Sequence, residues 1–160
     1  MAELFKIPHL QAVLQEMAAD LAENYRDQLG RSGRNASRNL LNSVTARVAL
    51  DRNVWEVQLS LLEYWKYIEY GTRPHWPPPE KILEWITVKP VIPRPGRDGR
   101  IPTPKQLAYL IGRKIARVGT EGKPDLQETV ERLMPWYERK ISEALGTDAS
   151  EYIKTTFMGQ

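Results

Sequence analysis

Apolar residues recur at three- and four-residue steps in several parts of the chain, and this spacing predicts amphipathic helices. Residues 8–29 carry a long apolar stripe, with charged residues on the opposite face and Pro8 where a helix accepts proline. Shorter helices are predicted at 61–70 and 79–88. The first half of the chain therefore begins with one long helix, and two short helices follow near its middle.

The second half of the chain contains two further helical patterns with clear start signals. Thr103 suits the capping position and Pro104 the first turn of one helix. Another long stripe begins after Pro124, and Pro135 within it is expected to kink or divide the helix. Residues 147–160 are expected to form a terminal arm or a further short helix.

Residues 44–60 change to an alternating pattern of apolar and polar side chains. Two short runs rich in valine flank Asp51-Arg52-Asn53, which predicts a β-hairpin with a polar turn. An isolated hairpin is marginal in water, so it must pack on the N-terminal helix or extend the sheet of another chain.

A proline-rich segment at 89–103 interrupts the helical patterns. Its four prolines and two glycines oppose regular structure, so we interpret it as an exposed arm or an insertion. The fold class predicted for residues 1–160 is a single α+β domain. It has a small antiparallel β-sheet built around the hairpin, packed by the long N-terminal helix and the C-terminal helices.

Composition limits the functional classes. A chain of 160 residues is long enough for one core, and its net charge of +3 is only mildly basic. No apolar run is long enough to span a membrane, and the first residues lack the pattern of a secretory signal. The absence of cysteine excludes thiolate catalysis and fits synthesis in the cytosol.

The residues that usually carry chemistry do not form a recognisable set. His9 and His75 have no metal-ligand partner at a known spacing. The sequence GTEGK lacks the glycine spacing of a phosphate loop and follows a helix rather than a strand. Glu63 and Glu69 on the short aromatic helix are interpreted as solvated. We therefore predict no catalytic, cofactor-binding or metal-binding residues, and a protein that is not an enzyme.

The segment LLEYWKYIEYGTRPHWPPP combines closely spaced aromatic residues with a stiff proline exit. Gly71 is placed to end the short helix, and Trp76 lies among prolines that oppose its burial in a regular element. We interpret the segment as a docking element for another subunit. The candidate interface residues are Tyr67, Tyr70, Gly71, Thr72, Arg73, Pro74, His75 and Trp76.

Arginines are concentrated in two segments that are rich in glycine, serine or proline. They are Arg31, Arg34 and Arg38 in the first and Arg94, Arg97 and Arg100 in the second. Such residues are commonly solvated, and the alternative is contact with an acidic partner or with a nucleic-acid backbone. The five tryptophans could stack on bases, although core and interface positions are the commoner use.

Two short motifs resemble one protein family. The sequence YIEYGTRP, at 67–74, resembles the "Y-hydrophobic-E-aromatic-G-T" signature of the neck, or tail-completion, proteins of long-tailed bacteriophages. The segment 119–126 is similar to a later box of that family, with Asp125 where an aromatic residue is usual. The remaining features occur in the same order over most of residues 8–145.

This resemblance implies a structural virion protein with an α+β fold. Members form homo-oligomeric rings, commonly six-fold, in the head–tail connector. Implied partners are head-closure or adaptor proteins on one side and tail-terminator or tail-tube proteins on the other, with passing contact to genomic DNA and no membrane. The protein would be made in the bacterial cytoplasm and reside in the virion neck. The alternative from the arginines is a basic nucleic-acid-binding accessory protein acting outside the virion.

Overall fold

The computed structural model describes residues 7–33, 38–89, 91–97 and 99–158. These ranges contain six helices and four strands. In chain order they are α1 (Pro8–Ser32), α2 (Asn39–Ser43), β1 (Thr45–Asp51), β2 (Val54–Ser60), α3 (Trp65–Tyr70), β3 (Gly71–Thr72), α4 (Pro79–Val88), α5 (Pro104–Val118), β4 (Thr120–Glu121) and α6 (Asp125–Phe157). The predicted α+β class is confirmed.

Helices α1 and α6 pack against each other along most of α1 and run antiparallel. Gln28, near the end of α1, donates to Asp125 at the start of α6, with 3.2 Å between Nε2 and Oδ1. At the opposite end, the backbone N–H of Leu10 donates to Asp148, with N and Oδ2 2.9 Å apart. Between these ends, the Tyr137 hydroxyl donates to the Asp20 carboxylate over 2.5 Å. The pair thus forms a two-helix layer with hydrogen bonds at both ends and in the middle.

Of the two outcomes expected at Pro135, a kink or a division, the division is wrong, because α6 continues through that residue as one helix. Proline removes one backbone donor and crowds the preceding turn. Tertiary interactions with α1 hold both sides of the site: Arg132 donates to Asn24, and Lys140 bonds to Glu16. These interactions explain why the helix is not divided at the proline.

Residues 147–157 form neither the expected terminal arm nor a separate short helix, because they belong to α6. Asp148 is buried against the start of α1. From Glu151 to Met158, every residue of this segment is exposed. The end of α6 therefore extends beyond the part of the helix that packs on α1.

The predicted β-hairpin is present and packs on α1. Strands β1 and β2 pair antiparallel from Thr45–Ser60 to Asp51–Val54. Arg52 and Asn53 both have positive φ, as a two-residue turn matched to the strand twist requires. The core lies between α1, α2 and the hairpin. Its buried members are Ala22, Tyr25, Leu29, Leu40 and Val44.

Helices α4 and α5 form a separate helical pair. The Thr103 cap predicted for α5 is present: Thr103 Oγ1 accepts from the Gln106 N–H. The Gln106 side chain also accepts from the Thr103 N–H, which completes a capping box that was not predicted. The described residues between the two helices form no helix or strand, and Ile92 there is 91% exposed. The buried residues of the pair are few: Ile82 in α4, and Ala108 and Gly112 in α5.

Candidate subunit interface

Two short strands join the α4–α5 pair to the rest of the molecule. Gly71 and Thr72 of β3 pair with Glu121 and Thr120 of β4, and the two threonine hydroxyls lie 2.9 Å apart. The ladder continues into the loop, where the Lys123 N–H donates to the Ile68 carbonyl over 2.9 Å. The two motifs noted in the sequence, at 67–74 and 119–126, therefore lie side by side.

Three glycines allow these strands to approach closely, and we call them the glycine clamp: Gly71, Gly119 and Gly122. A Cβ on Gly71 would lie 2.1 Å from the carbonyl oxygen of Thr120. A Cβ on Gly119 would lie 2.0 Å from that of Thr72, and both glycines have φ of 73°. A side chain at either position would collide with rigid backbone, so the clamp requires glycine.

The prediction that the Glu69 carboxylate is solvated is wrong. It is 4% exposed, and its two oxygens accept from the backbone N–H groups of Leu126 and Gln127 at 3.0 and 2.9 Å. Pro124, which precedes α6, has no side chain able to accept these hydrogen bonds. Glu69 therefore caps the start of α6 from a distant part of the chain. Two features of the sequence could have indicated this role. Glu69 is a charged residue within an aromatic helix, and the later helix that follows Pro124 has no capping residue of its own.

Further polar side chains lie at the start of α6. Asp125 is fully buried, and its Oδ1 lies 3.3 Å from the Lys123 ammonium. Burial raises the pKa of Tyr25, and the nearby charges of Glu69 and Asp125 raise it further. Tyr25 is consequently a neutral phenol under ordinary conditions. Asp125 stands where the resemblance expects an aromatic residue, and here it anchors the loop to α1 through Gln28.

An apolar groove of about 850 Å³ lies between the α4–α5 pair and the clamp, and we call it the α4–α5 groove. Its apolar surface is contributed by Ile68, Ile82, Trp85, Ile111, Ile115 and Val118. Three lysines and one glutamate also line it: Lys81, Lys89, Lys114 and Glu121. Trp85 and Val118 are 40% and 57% exposed, so a large apolar surface faces solvent here. Such patches commonly mark protein interaction sites.

Some of the predicted interface residues are paired within the chain, and others have exposed side chains. Gly71 and Thr72 are engaged in the β3–β4 ladder, while Tyr67 is 63% exposed and lines the α4–α5 groove. Tyr70 is 72% exposed beside Trp65, with the ring centroids 6.0 Å apart.

The proline exit contains three exposed residues and a tryptophan that rests on α5. Arg73, Pro74 and His75 are exposed, and His75 Nδ1 lies 2.9 Å from the Arg73 carbonyl oxygen. Trp76 is 51% exposed and rests on α5, with its ring 5.8 Å from that of Tyr109. Its role as an interface residue stays a prediction, but it does not project freely.

A polar cleft of about 680 Å³ lies at the end of α1. It is lined by Arg31 and Arg38 of the first predicted arginine group, and also by Arg26. We call this the arginine cleft. Arg26 donates to the Val44 carbonyl, whereas Arg31 lies 4.0 Å from Asp27 at its nearest approach.

The remaining predicted arginines do not line this cleft. Arg34 lies outside the described residues. Arg94 and Arg97 are exposed in the proline-rich segment, where the Arg100 carbonyl accepts from Gly96. The structure thus brings together only part of the predicted basic set.

A cluster that sequence spacing did not reveal joins His9 with Asp148 and Glu151. His9 Nδ1 lies 2.8 Å from Asp148 Oδ1 and 3.8 Å from Glu151 Oε2. Asp148 also accepts from the backbone N–H groups of His9 and Leu10, so it caps α1 as Glu69 caps α6. Asp148 already accepts hydrogen bonds from His9 and Leu10, so the cluster is best described as a helix cap.

The charges of this cap shift the pKa values of both partners. The hydrogen bond to Asp148 raises the pKa of His9 above its ordinary value. Burial acts to raise the pKa of Asp148, but hydrogen bonds from Leu10 and His9 outweigh burial and lower it. Both shifts stabilise the charged forms, so the pair is an ion pair over the interval between the two pKa values.

Comparisons with known proteins return nothing similar. No family model, no curated protein and no solved structure matches the chain. Among the described residues, no helix combines the length and the apolar character needed to cross a membrane.

Proposed function

We propose that this chain is a structural subunit of the head–tail connector of a tailed bacteriophage. In this role it forms a neck ring that joins the head-closure and portal side to the tail. The glycine clamp carries the proposal, because the two motifs that resemble neck proteins meet there in one unit. Separate short resemblances that converge in space are stronger support than either motif alone.

The distribution of apolar surface also supports an assembly role. The clamp holds the α4–α5 pair against the rest of the molecule, yet the groove beside it remains open to solvent. A ring subunit needs two different surfaces, because each copy meets two neighbours through unlike patches. An exposed groove provides one such surface.

The proposed partners follow from the position of a neck ring. Copies of the same chain surround the channel, commonly with six-fold symmetry. Head-closure or adaptor proteins bind one face, and tail-terminator or tail-tube proteins bind the other. The mild positive charge of each copy would add up around genomic DNA passing through the channel.

The test is the composition and imaging of purified particles. We expect the protein in the particle at a ring copy number, with density for it between head and tail. A protein that is absent from particles and monomeric at all accessible concentrations would overturn the proposal.

The arginine cleft favours a second candidate, a nucleic-acid-binding accessory protein acting outside the virion. Arginines neutralise phosphates, and binding then weakens steeply as salt rises. Replacing Arg31 and Arg38 by alanine should reduce the salt dependence of DNA binding, by about one unit of slope for each phosphate that is no longer neutralised. Replacing Arg94 and Arg97 tests the proline-rich segment in the same way. Absence of DNA binding at low salt would remove this candidate.

A further inference from the structure

Helix α5 carries only positive charges. Its charged residues are Lys105, Arg113, Lys114 and Arg117, and it has no aspartate or glutamate. Every other charged helix among the described residues contains at least one acidic residue. The net charge of the whole chain is only +3, so the residues outside α5 are together slightly acidic. The excess positive charge of this protein is therefore concentrated on one helix.

Four residues of α5 form a strip along its exposed side, and we call them the α5 strip: Lys105, Tyr109, Arg113 and Arg117. They follow one another at four-residue steps, so they lie along one side of the helix over about 18 Å. All four are exposed, and the ring of Tyr109 lies beside that of Trp76. The helix packs on α4 through a different side, at Ala108 and Gly112, so the strip stays open to solvent.

The basic side chains of the strip have no hydrogen-bond or ion-pair partner in the part of the chain that the structure describes. Lys105 lies in the first turn of α5, where the positive end of the helix dipole disfavours a cation. Stabilisation of the helix therefore accounts for Arg117 in the last turn but not for Lys105. The arginine cleft differs, because Arg26 is bonded to a backbone carbonyl there and Asp27 also lines it. Unpaired cations in a row are suited to a partner with a row of negative charges.

A phosphate backbone matches the α5 strip better than an acidic protein surface does. Protein–protein interfaces have a core that is depleted in charged residues, and lysine is rare in them. Protein–DNA interfaces are more polar and much more positively charged. Lysine, arginine and tyrosine all donate to phosphate oxygens, and the strip contains only these three residue types. Its length of about 18 Å corresponds to about five phosphates of one DNA strand.

We propose that the α5 strip binds the phosphate backbone of duplex DNA without reading its sequence. Contacts to phosphates position a protein on DNA and carry no sequence information of their own. Three basic residues per copy give weak binding, and the charges of several copies would add around one duplex. In the proposed neck ring the strip would face the channel, and this placement, unlike the binding itself, rests on the proposed function.

Fluorescence anisotropy of the full chain with labelled duplexes of two unrelated sequences tests the proposal. We expect both duplexes to bind equally at about 50 mM salt and more weakly as salt rises to about 200 mM. Arg113→Gln with Arg117→Gln should lower the slope of log K against log salt by about 1.8, at about 0.9 for each phosphate no longer neutralised. Lys105→Gln alone should lower the slope by about 0.9.

The matched control is Arg139→Gln with Lys154→Gln, which removes the same charge from exposed residues of α6. Its salt slope should equal that of the unaltered chain, and circular dichroism should show the same helicity for all variants. The inference is wrong if the unaltered chain does not bind DNA at low salt or if the strip variants keep the full slope. It is also wrong if the control loses as much slope as the double strip variant.

Polyglutamate is the probe for an acidic protein partner. Added at the same concentration of negative charge as the DNA, it should leave the labelled duplex bound. Complete displacement of the duplex would assign the α5 strip to an acidic protein and overturn the proposal.

Particles separate this inference from the proposed function. A protein that is present in the neck but does not bind DNA through the strip would overturn the inference and leave the neck role standing. Strip-dependent DNA binding by a protein that is absent from particles would support the inference and remove the neck role.

Discussion

The α1–α6 layer and the α4–α5 pair use apolar residues in opposite ways. The layer buries Tyr25, Leu29 and Tyr137 almost completely. The α4–α5 pair leaves Trp85 and Val118 exposed, although α5 is strongly amphipathic. The first region completes its core within one chain, and the second has an apolar surface suited to a neighbour. Substitutions in the two regions should therefore differ in their effect on the stability of the monomer.

The largest effect is expected where the two regions join. Gly71→Ala would place a Cβ 2.1 Å from the Thr120 carbonyl oxygen at a residue with positive φ. We expect a loss of about 4 kcal/mol or more in the free energy of unfolding, measured by urea denaturation. Gly99→Ala is the control, because its φ is also positive but no atom lies within 4 Å of the added Cβ. It should cost only about 1 kcal/mol. Equal losses would contradict the clamp.

The next effect concerns the start of α6. Glu69→Ala removes two partly buried hydrogen bonds to backbone N–H groups that have no alternative capping side chain at Pro124. We expect a loss of about 3 kcal/mol in unfolding free energy, since hydrogen bonds to charged groups contribute about 1.5–3 kcal/mol each. Glu63→Ala, on an exposed residue nearby, should change stability little. If both variants were equally stable, Glu69 would not be a cap.

A smaller effect is expected at the start of α1. Asp148→Ala removes the cap from His9 and Leu10 and should cost about 1–2 kcal/mol, as for other capping residues. Asp27→Ala, at an exposed carboxylate with only a distant arginine partner, is the control.

The same cap predicts a pH dependence of stability. The pKa of Asp148 is lowered from 3.8, so its contribution is present above pH 3.8 and lost as pH falls through the lowered value. The pKa of His9 is raised from 6.5, so its contribution is full below pH 6.5 and lost as pH rises through the raised value. Urea denaturation should therefore show the largest effect of Asp148→Ala between pH 3.8 and 6.5. A variant effect that does not change with pH would contradict the ion pair.

The smallest effect is expected in the α4–α5 groove. Val118→Ser alters a residue that is 57% exposed, and the unfolding free energy of the monomer should change by no more than about 0.5 kcal/mol. Leu29→Ala, in the buried core, should cost about 2–5 kcal/mol under the same conditions. A large loss at Val118 would mean that the groove belongs to the core of the monomer.

The sequence predicted the elements whose signals are local. Helix α4 begins and ends where its pattern indicated, and the Thr103 cap and the β-hairpin are present as expected. Local signals suffice here because the residues that decide each element lie within a few positions of one another.

The errors concern residues whose roles depend on distant partners. Pro135 is tolerated because α1 holds α6 on both sides of it. Glu69 and Asp148 act on backbone groups 57 and 138 residues away, to Leu126 and Leu10. No periodicity within a segment can indicate such a partner. The sequence likewise did not indicate the α4–α5 groove, since three separate segments line it, at 67–68, 81–89 and 111–121.

The cap on α1 has a consequence for synthesis. Leu10 leaves the ribosome early, but the carboxylate that completes its helix is added 138 residues later. The start of α1 therefore stays uncapped until nearly the whole described chain has been translated. A product truncated before Asp148 should lack this cap for good and be degraded more readily than the full chain.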